Sequence, residues 1–427
     1  MTAPATQLVQ IEKPVYGGAF LARVDGKAIF VPLTLPGEQA RVRIMQDKRG
    51  YANAEAEEIV VPAPERVAPV CRHFGSCGGC SYQHTNYETQ LALKQAILRE
   101  TLQRGGVRVP DKIAVLAAEP WGYRNRIRLA FDAQGNPGYR GRRSHSIVPI
   151  SECPIAAPLL LAAGNAVADI ARSSTPAQRP SEISLFCDAA QRSLLVTSVI
   201  ANPAKARAED FAHSLSQQIP ELIGAEFVTE GLAGRQPRTV ARWGVNSLTY
   251  HAAGFDYRVD HGAFFQVNRW LLDPLVERVT SAYSGSLAWD LFAGVGLFAR
   301  QLTATFNRVV AVESALAAIA ALEQNLDGTT GAAVKADTLA FLRHSSENNR
   351  PDLIVVDPPR TGLGVEITTL LADVAAPYMV YVSCDPATLA RDLKALADGG
   401  YATESITLAD LFPQTSHLET IVELRRA

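Results

Sequence analysis

Five short apolar runs between residues 287 and 427 constrain the fold most: LAWDLFAGVG, RVVAVES, PDLIVVDPPR, YMVYVSCDP and TIVELRR. Each closes on a turn, and helical patterns separate them. Strands spaced in this way fit a parallel sheet whose crossover helices cover both faces. Residues 259–427 are therefore expected to form a doubly wound, Rossmann-like α/β domain. Its ligand crevice should lie outside the carboxyl ends of the strands.

The rest of the chain reads differently. Residues 1–62 alternate short β-like runs with Gly and Pro turns, which predicts a small barrel of the oligonucleotide-binding kind. The Pro-punctuated stretch VVPAPERVAP follows, and residues 63–258 mix strands and helices in a central domain. With 427 residues, 47% apolar and 20% charged, the chain is long enough for three such units and ordinary for a soluble protein. PIAAPLLLAAGNAVADIA is broken by Pro, Gly, Asn and Asp, so it reads as a core-facing helix, not a membrane span. MTAPATQLVQIEKP lacks the basic start and apolar centre of a signal peptide. A cytoplasmic protein is expected, with no membrane association and no obligate protein partner, hence a monomer.

Net charge of −2 does not by itself announce a nucleic-acid partner, but local charge does. Between Trp121 and His145 stand six arginines (Arg124, Arg126, Arg128, Arg140, Arg142, Arg143) against the single acid Asp132. Trp121, Tyr123, Phe131 and Tyr139 are interleaved with them. Such a patch can neutralise phosphates and stack bases, and Arg124 and Arg126 are its candidate RNA contacts. A solvated strand face is the plainer alternative.

In LAWDLFAGVG a strand carrying Asp290 runs into a glycine turn, where Gly294 and Gly296 allow close backbone approach to a ligand. RVVAVES places Glu313 23 residues after Asp290, where an acid can take both hydroxyls of a ribose. The third strand should end at KAD, with Asp337 near an adenine. The turn lacks the third glycine of a dinucleotide fingerprint, so a single adenosine ligand is expected. PDLIVVDPPRTG and YMVYVSCDP end successive strands, so Asp357 and Cys384 should face one crevice.

A free thiol is mostly protonated at neutral pH. A helix beginning at about Pro386 would aim N–H groups at Cys384, and Arg391 one turn on would add positive charge; both should favour the thiolate. Glu419, beside His417, opens the final strand. If the last strands form an antiparallel hairpin, that entry point reaches the same crevice, and Glu419 can accept a proton there.

Of six cysteines, Cys71, Cys77 and Cys80 are clustered in CRHFGSCGGCSYQH, and Cys153 lies apart in ISECPI. Spacing leaves tetrathiolate zinc and an iron–sulfur cluster equally open. Cys187 reads as a core residue.

Together these segments resemble the S-adenosylmethionine-dependent uridine-C5 RNA methyltransferases acting on bacterial tRNA and 23S ribosomal RNA. FFQVN (264–268), DLFAGVG, DPPRTG, SCDPATLARD and HLET stand in the family's order. The barrel looks like a TRAM domain, and CRHFGSCGGCSYQH looks like the family's cluster-binding segment. The resemblance implies a class I methyltransferase domain. In it Cys384 would add to C6 of the target uracil and Glu419 would remove the C5 proton. Gln266, Phe292, Glu313 and Asp357 would hold S-adenosylmethionine, and Phe264 would stack on the flipped base. The resemblance also implies a [4Fe–4S] cluster on Cys71, Cys77, Cys80 and Cys153, zinc being the alternative. The substrate would be RNA, either 23S rRNA or tRNA, with rRNA favoured by the barrel. The chain departs from several members at Ala293 and Leu297, where Cys and Asn are usual, which puts one polar cofactor contact in doubt. Two rivals remain: methylation of another position such as cytosine C5, and a non-catalytic RNA-binding protein. The first generally needs a second cysteine beside the Pro-containing loop, which DPPRTG lacks. The second would be expected to have lost Cys384 or Glu419, and both are present.

Overall fold

The computed structural model describes residues 6–175, 179–200, 205–229, 238–345 and 350–427. At the N-terminus, alternating apolar residues close a five-stranded barrel. It is built from β1 (Thr6–Val15), β2 (Ala19–Val24), β3 (Lys27–Pro32), β4 (Gln39–Asp47) and β5 (Tyr51–Val61), ordered β1-β2-β3-β5-β4. Antiparallel pairing of β1 with β4 completes the closure. Phe20, Ile29, Val31 and Val42 fill its core, and Tyr82 and Leu93 plug it from outside the barrel sequence.

The stretch 63–258 divides between three places. Helix α1 (Tyr87–Arg104) packs Ile97, Leu98 and Leu102 on the C-terminal sheet, and β6 (Ala114–Leu116) joins that sheet's edge. A seven-stranded sheet contains β7 (Arg126–Phe131), β8 (Pro137–Arg140), β9 (Ile147–Pro149), β10 (Pro180–Cys187), β11 (Leu194–Ile200), β12 (Leu222–Val228) and β13 (Thr239–Gly244). Their order is β13-β12-β11-β10-β7-β8-β9. α2 (Pro158–Ser173) and α3 (Lys205–Gln218) cover one of its faces. α2 lies within the run read as core-facing, and Cys187 is fully buried beneath it. The hairpin of β14 (Ser247–Ala252) and β15 (Phe255–Asp260) packs Leu248, Tyr257 and Val259 into the C-terminal core.

Beyond α4 (Leu272–Thr280) the chain alternates strand and helix: β16 (Gly285–Leu291), α5 (Leu297–Leu302), β17 (Phe306–Glu313), α6 (Leu316–Leu326), β18 (Gly331–Lys335), α7 (Thr338–His344), β19 (Leu353–Val356), α8 (Gly364–Val374), β20 (Tyr378–Ser383), α9 (Pro386–Asp398), β21 (Tyr401–Ala409) and β22 (Glu419–Arg426). The sheet runs β18-β17-β16-β19-β20-β22-β21-β6. Strand order reverses between β16 and β19, which opens a crevice at their carboxyl ends. β22 is antiparallel to β20, so its first residue arrives at that same edge. One core lies on each face of the sheet, one with α4, α5 and α6, the other with α1, α8 and α9. Among the described residues no helix is long and apolar enough to cross a membrane.

Candidate active site

The crevice is built from strand ends. Phe292 follows β16 with φ of 67°, a left-handed conformation that is uncommon for a side-chain-bearing residue and recurs at functional turns. Gly294 (φ 57°) faces open space, whereas a Cβ on Gly296 would lie 2.7 Å from Leu322 Cδ1. Both glycines were expected to serve ligand approach. Gly294 has open space beside it, whereas a side chain on Gly296 would press on Leu322 of α6. Leu297, at the departed position, is buried in the core, as is Ala293.

Glu313 is committed to the backbone. Its Oε2 accepts from Gly294 N at 2.8 Å, and its Oε1 accepts from Ser314 N and Ala315 N at 2.7 and 2.6 Å. The acid expected to take the ribose hydroxyls thus sets the shape of the glycine turn. Asp337 caps α7, accepting from Leu339 N at 3.0 Å. Gln266 is buried in the loop that follows β15, and its carbonyl accepts from Asn125 Nδ2 at 3.0 Å. Phe264, two residues earlier, is 65% exposed and free to meet a base.

Cys384 and Glu419 meet through sheet register. Ser383 pairs with Thr420 across β20 and β22, so Cys384 and Glu419 leave that last rung as neighbours, near enough for the Glu419 charge to act on the thiol. Burial and nearby acids make this a carboxylate-rich pocket. Asp290 is pushed up to about 8, first by burial and then by Asp357 and Glu313. Burial lifts Asp357 to about 7. Glu419, 5% exposed, is driven well above the usual range by burial and by Asp357, with Arg360 opposing. The Cys384 thiol is pushed up to about 11 by burial and by the charges of Glu419 and Asp357, again against Arg360.

Burial and these acids thus oppose the thiolate that the helix start and Arg391 were expected to favour. α9 does begin at Pro386, but Asp385 caps it and takes the N–H groups of Ala387 and Thr388 at 2.9 and 3.0 Å. Arg391 turns away to Asp392 Oδ1 and the Thr361 carbonyl. The cation that acts on the thiol is Arg360 of DPPRTG, whose Nη2 donates to Nδ1 of a neutral His417 at 3.2 Å. His417 is held down to about 4 by burial and by the positive charges of Arg360, Arg124 and Lys94. The sequence offered both signals: Asp-Pro at a helix start is a cap, and Arg360 stands inside a quoted motif.

The arginine patch divides. Arg126 is half-buried, lies 4.0 Å over the Phe186 ring and donates to the Ala263 carbonyl at 2.6 Å, so it grips the Phe264 loop. Arg124 contacts the Tyr123 hydroxyl and lines the cysteine cavity. Arg128 pairs with Glu182 and Arg142 with Glu55, leaving Arg140 and Arg143 exposed. Arg124 and Arg126 are both partly buried, and both line one cavity together with Arg128. Cys71, Cys77, Cys80 and Cys153 line one cavity of about 220 Å³ with Arg124 and Tyr139. Among the described residues no group of three or more His, Cys, Asp or Glu is placed to hold a metal ion.

Residues 243–427 match the tRNA (Uracil-5-)-methyltransferase family, and residues 5–56 match the TRAM domain. The chain is similar to the 23S rRNA (uracil(1939)-C(5))-methyltransferase RlmD of Halomonas elongata, at 30% identity over 97% of this chain and 88% of the relative. It is 33% identical to the RlmD of Aeromonas hydrophila, over 95% of this chain and 93% of that one. The fold is that of the Pyrococcus abyssi tRNA (uracil-54, C5)-methyltransferase solved with S-adenosyl-L-homocysteine, with a TM-score of 0.77, 24% identity, and 97% and 99% of the two chains covered. Fold and crevice together define a class I methyltransferase domain preceded by a TRAM barrel. The chain belongs to the uracil-C5 RNA methyltransferase family.

Proposed function

We propose that this protein methylates C5 of a uridine in 23S ribosomal RNA, with Cys384 as nucleophile and Glu419 as base. The observation that carries the reading is the cross-strand register that makes a thiol and a buried carboxylate neighbours at the mouth of the β16/β19 crevice. Uracil C5 is a poor nucleophile until a soft, detachable group adds at C6. The Cys384 thiolate, its proton released to solvent, forms that bond through Sγ. C5 then takes the methyl group of S-adenosylmethionine, which leaves as S-adenosylhomocysteine. Glu419, as the carboxylate, takes the C5 proton, and cleavage of the C6–S bond returns the thiolate. Glu419 suits the task because its raised affinity for protons brings it towards the operating pH.

S-adenosylmethionine, the second substrate, supplies a methyl group on a positively charged sulfur. That cation would favour the ionised forms of Asp290, Asp357 and Glu419, whose carboxyls burial otherwise keeps protonated more readily, and Gly294 leaves room beside it. Gln266, Phe292 and Asp337 complete the rim read as its binding site. Exposed Phe264 would stack on the extruded base. The RlmD relatives are named for 23S rRNA, which favours rRNA over tRNA.

We read the four thiols as ligands of a [4Fe–4S] cluster, as the resemblance implies. They surround one cavity, and a cluster takes four thiolates without drawing them all to one ion, as zinc at about 2.3 Å would require. No step of the methylation transfers an electron, so Cys71, Cys77, Cys80 and Cys153 would fix the loop 71–84 beside Arg124. Anaerobically purified protein should carry about four irons per chain, and stoichiometric zinc would reject the cluster.

The function is tested with 23S rRNA fragments containing 5-fluorouridine, which should trap a covalent adduct on wild-type protein and none on Cys384→Ala. Mapping of 5-methyluridine in 23S rRNA and tRNA from a deletion strain names the substrate; loss confined to tRNA would overturn the rRNA reading.

A further inference from the structure

We propose that Tyr16, at the tip of a barrel hairpin, is a positioning residue that holds the Cys384 loop in its attacking geometry through Asp385. This inference rests on the role assigned above to Cys384.

The geometry is direct. The Tyr16 hydroxyl donates to Asp385 Oδ2 at 2.9 Å, across 369 residues of sequence. The other oxygen of Asp385 accepts from Ala387 N and Thr388 N at the start of α9. The carboxylate next to the nucleophile is thus clamped from both sides, by its own helix and by the barrel. Gly17 and Gly18, with φ of 94° and 85°, let the tip turn sharply enough to deliver the ring.

The same tip meets the second catalytic loop. A Cβ on Gly18 would lie 2.8 Å from Ser416 Oγ, three residues before Glu419. Next to it, Ser81 N and Tyr82 N donate to the Gln414 carbonyl at 2.9 and 3.0 Å. One hairpin therefore touches both loops that bring reacting groups to the uracil. Tyr16 remains 38% exposed, at the crevice mouth, where Cys384 and Arg360 are near enough for their charges to act on its hydroxyl. A nucleophile displaced by about 1 Å can lose on the order of a hundredfold in rate, so a clamp of this kind acts on turnover and not on affinity.

Tyr16→Phe keeps the ring and removes only the donor. Expected is a fall in kcat of about tenfold with the KM for RNA held within about twofold. Trapping of 5-fluorouridine RNA in a single turnover should slow in parallel. Asp385→Asn should also slow trapping, and the two substitutions combined should cost little more than the worse one, because they break the same link. A raised KM with unchanged kcat would make Tyr16 an RNA contact and overturn the proposal. So would unchanged kinetics, or effects of the two variants that multiply. Wild-type protein that traps no RNA would instead remove the function itself, and this proposal with it.

Discussion

At Cys384, burial and two neighbouring acids push the thiol up to about 11, above the neutral range. Alkylation of Cys384 by iodoacetamide should therefore rise about tenfold per pH unit through the neutral range, without a plateau there. A cation in the crevice opposes Glu419 and Asp357, so saturating S-adenosylmethionine should move that profile to lower pH, whereas neutral-sulfur S-adenosylhomocysteine should move it less. Glu419→Gln should let the methylated adduct accumulate on denaturing gels and cut turnover by about a hundredfold or more. Asp290 gives a stability test. Its pKa in the fold, about 8, stands above the ordinary carboxylate value, so the folded state binds the extra proton. Its contribution is full below the unfolded value and is lost as pH rises towards about 8. Asp290→Asn cannot ionise, so its Tm relative to wild type should improve steadily across that window.

The elements of the crevice separate two glycines that look alike in the sequence. Gly296 has a φ of 89° and no room beside Leu322, so Gly296→Ala should lower stability by about 1–3 kcal/mol in denaturant melts. Gly294 faces open space, so Gly294→Ala should cost only about 1 kcal/mol while weakening S-adenosylmethionine binding in calorimetry. Periodicity could mark the strand, the turn and the helix. Which glycine faces the ligand depended on α6 arriving behind the turn, and α6 is positioned by the sheet. The helix at Pro386 was likewise legible from its proline, but its N-terminal N–H groups serve Asp385 and not the thiol.

Across the whole molecule, buried polar links tie α1 to the catalytic loops. Lys94 of α1 and Asp410, each 1% exposed, pair at 2.5 Å, and Lys94 also donates to the Phe412 carbonyl at 2.9 Å. Tyr87 donates to Asp410 at 2.8 Å. Lys94→Met would strand the Asp410 charge and should destabilise the fold by about 3–5 kcal/mol. Because the tie fixes the loop leading to Glu419, activity should fall before the melting transition is reached.

By itself the sequence determined the order of the elements, the family, and the placing of Asp357, Cys384 and Glu419 at strand ends. Apolar period, turn residues and helix starts are written in neighbouring positions, and strand polarity then carries those ends to one edge. Only the tertiary structure decided that Arg124 and Arg126 are partly buried, that Arg360 and not Arg391 acts on the thiol, and that Tyr16 reaches Asp385. Charge state and contact depend on what surrounds a group in space. For these residues that surrounding comes from elements tens to hundreds of positions away, which no local pattern encodes.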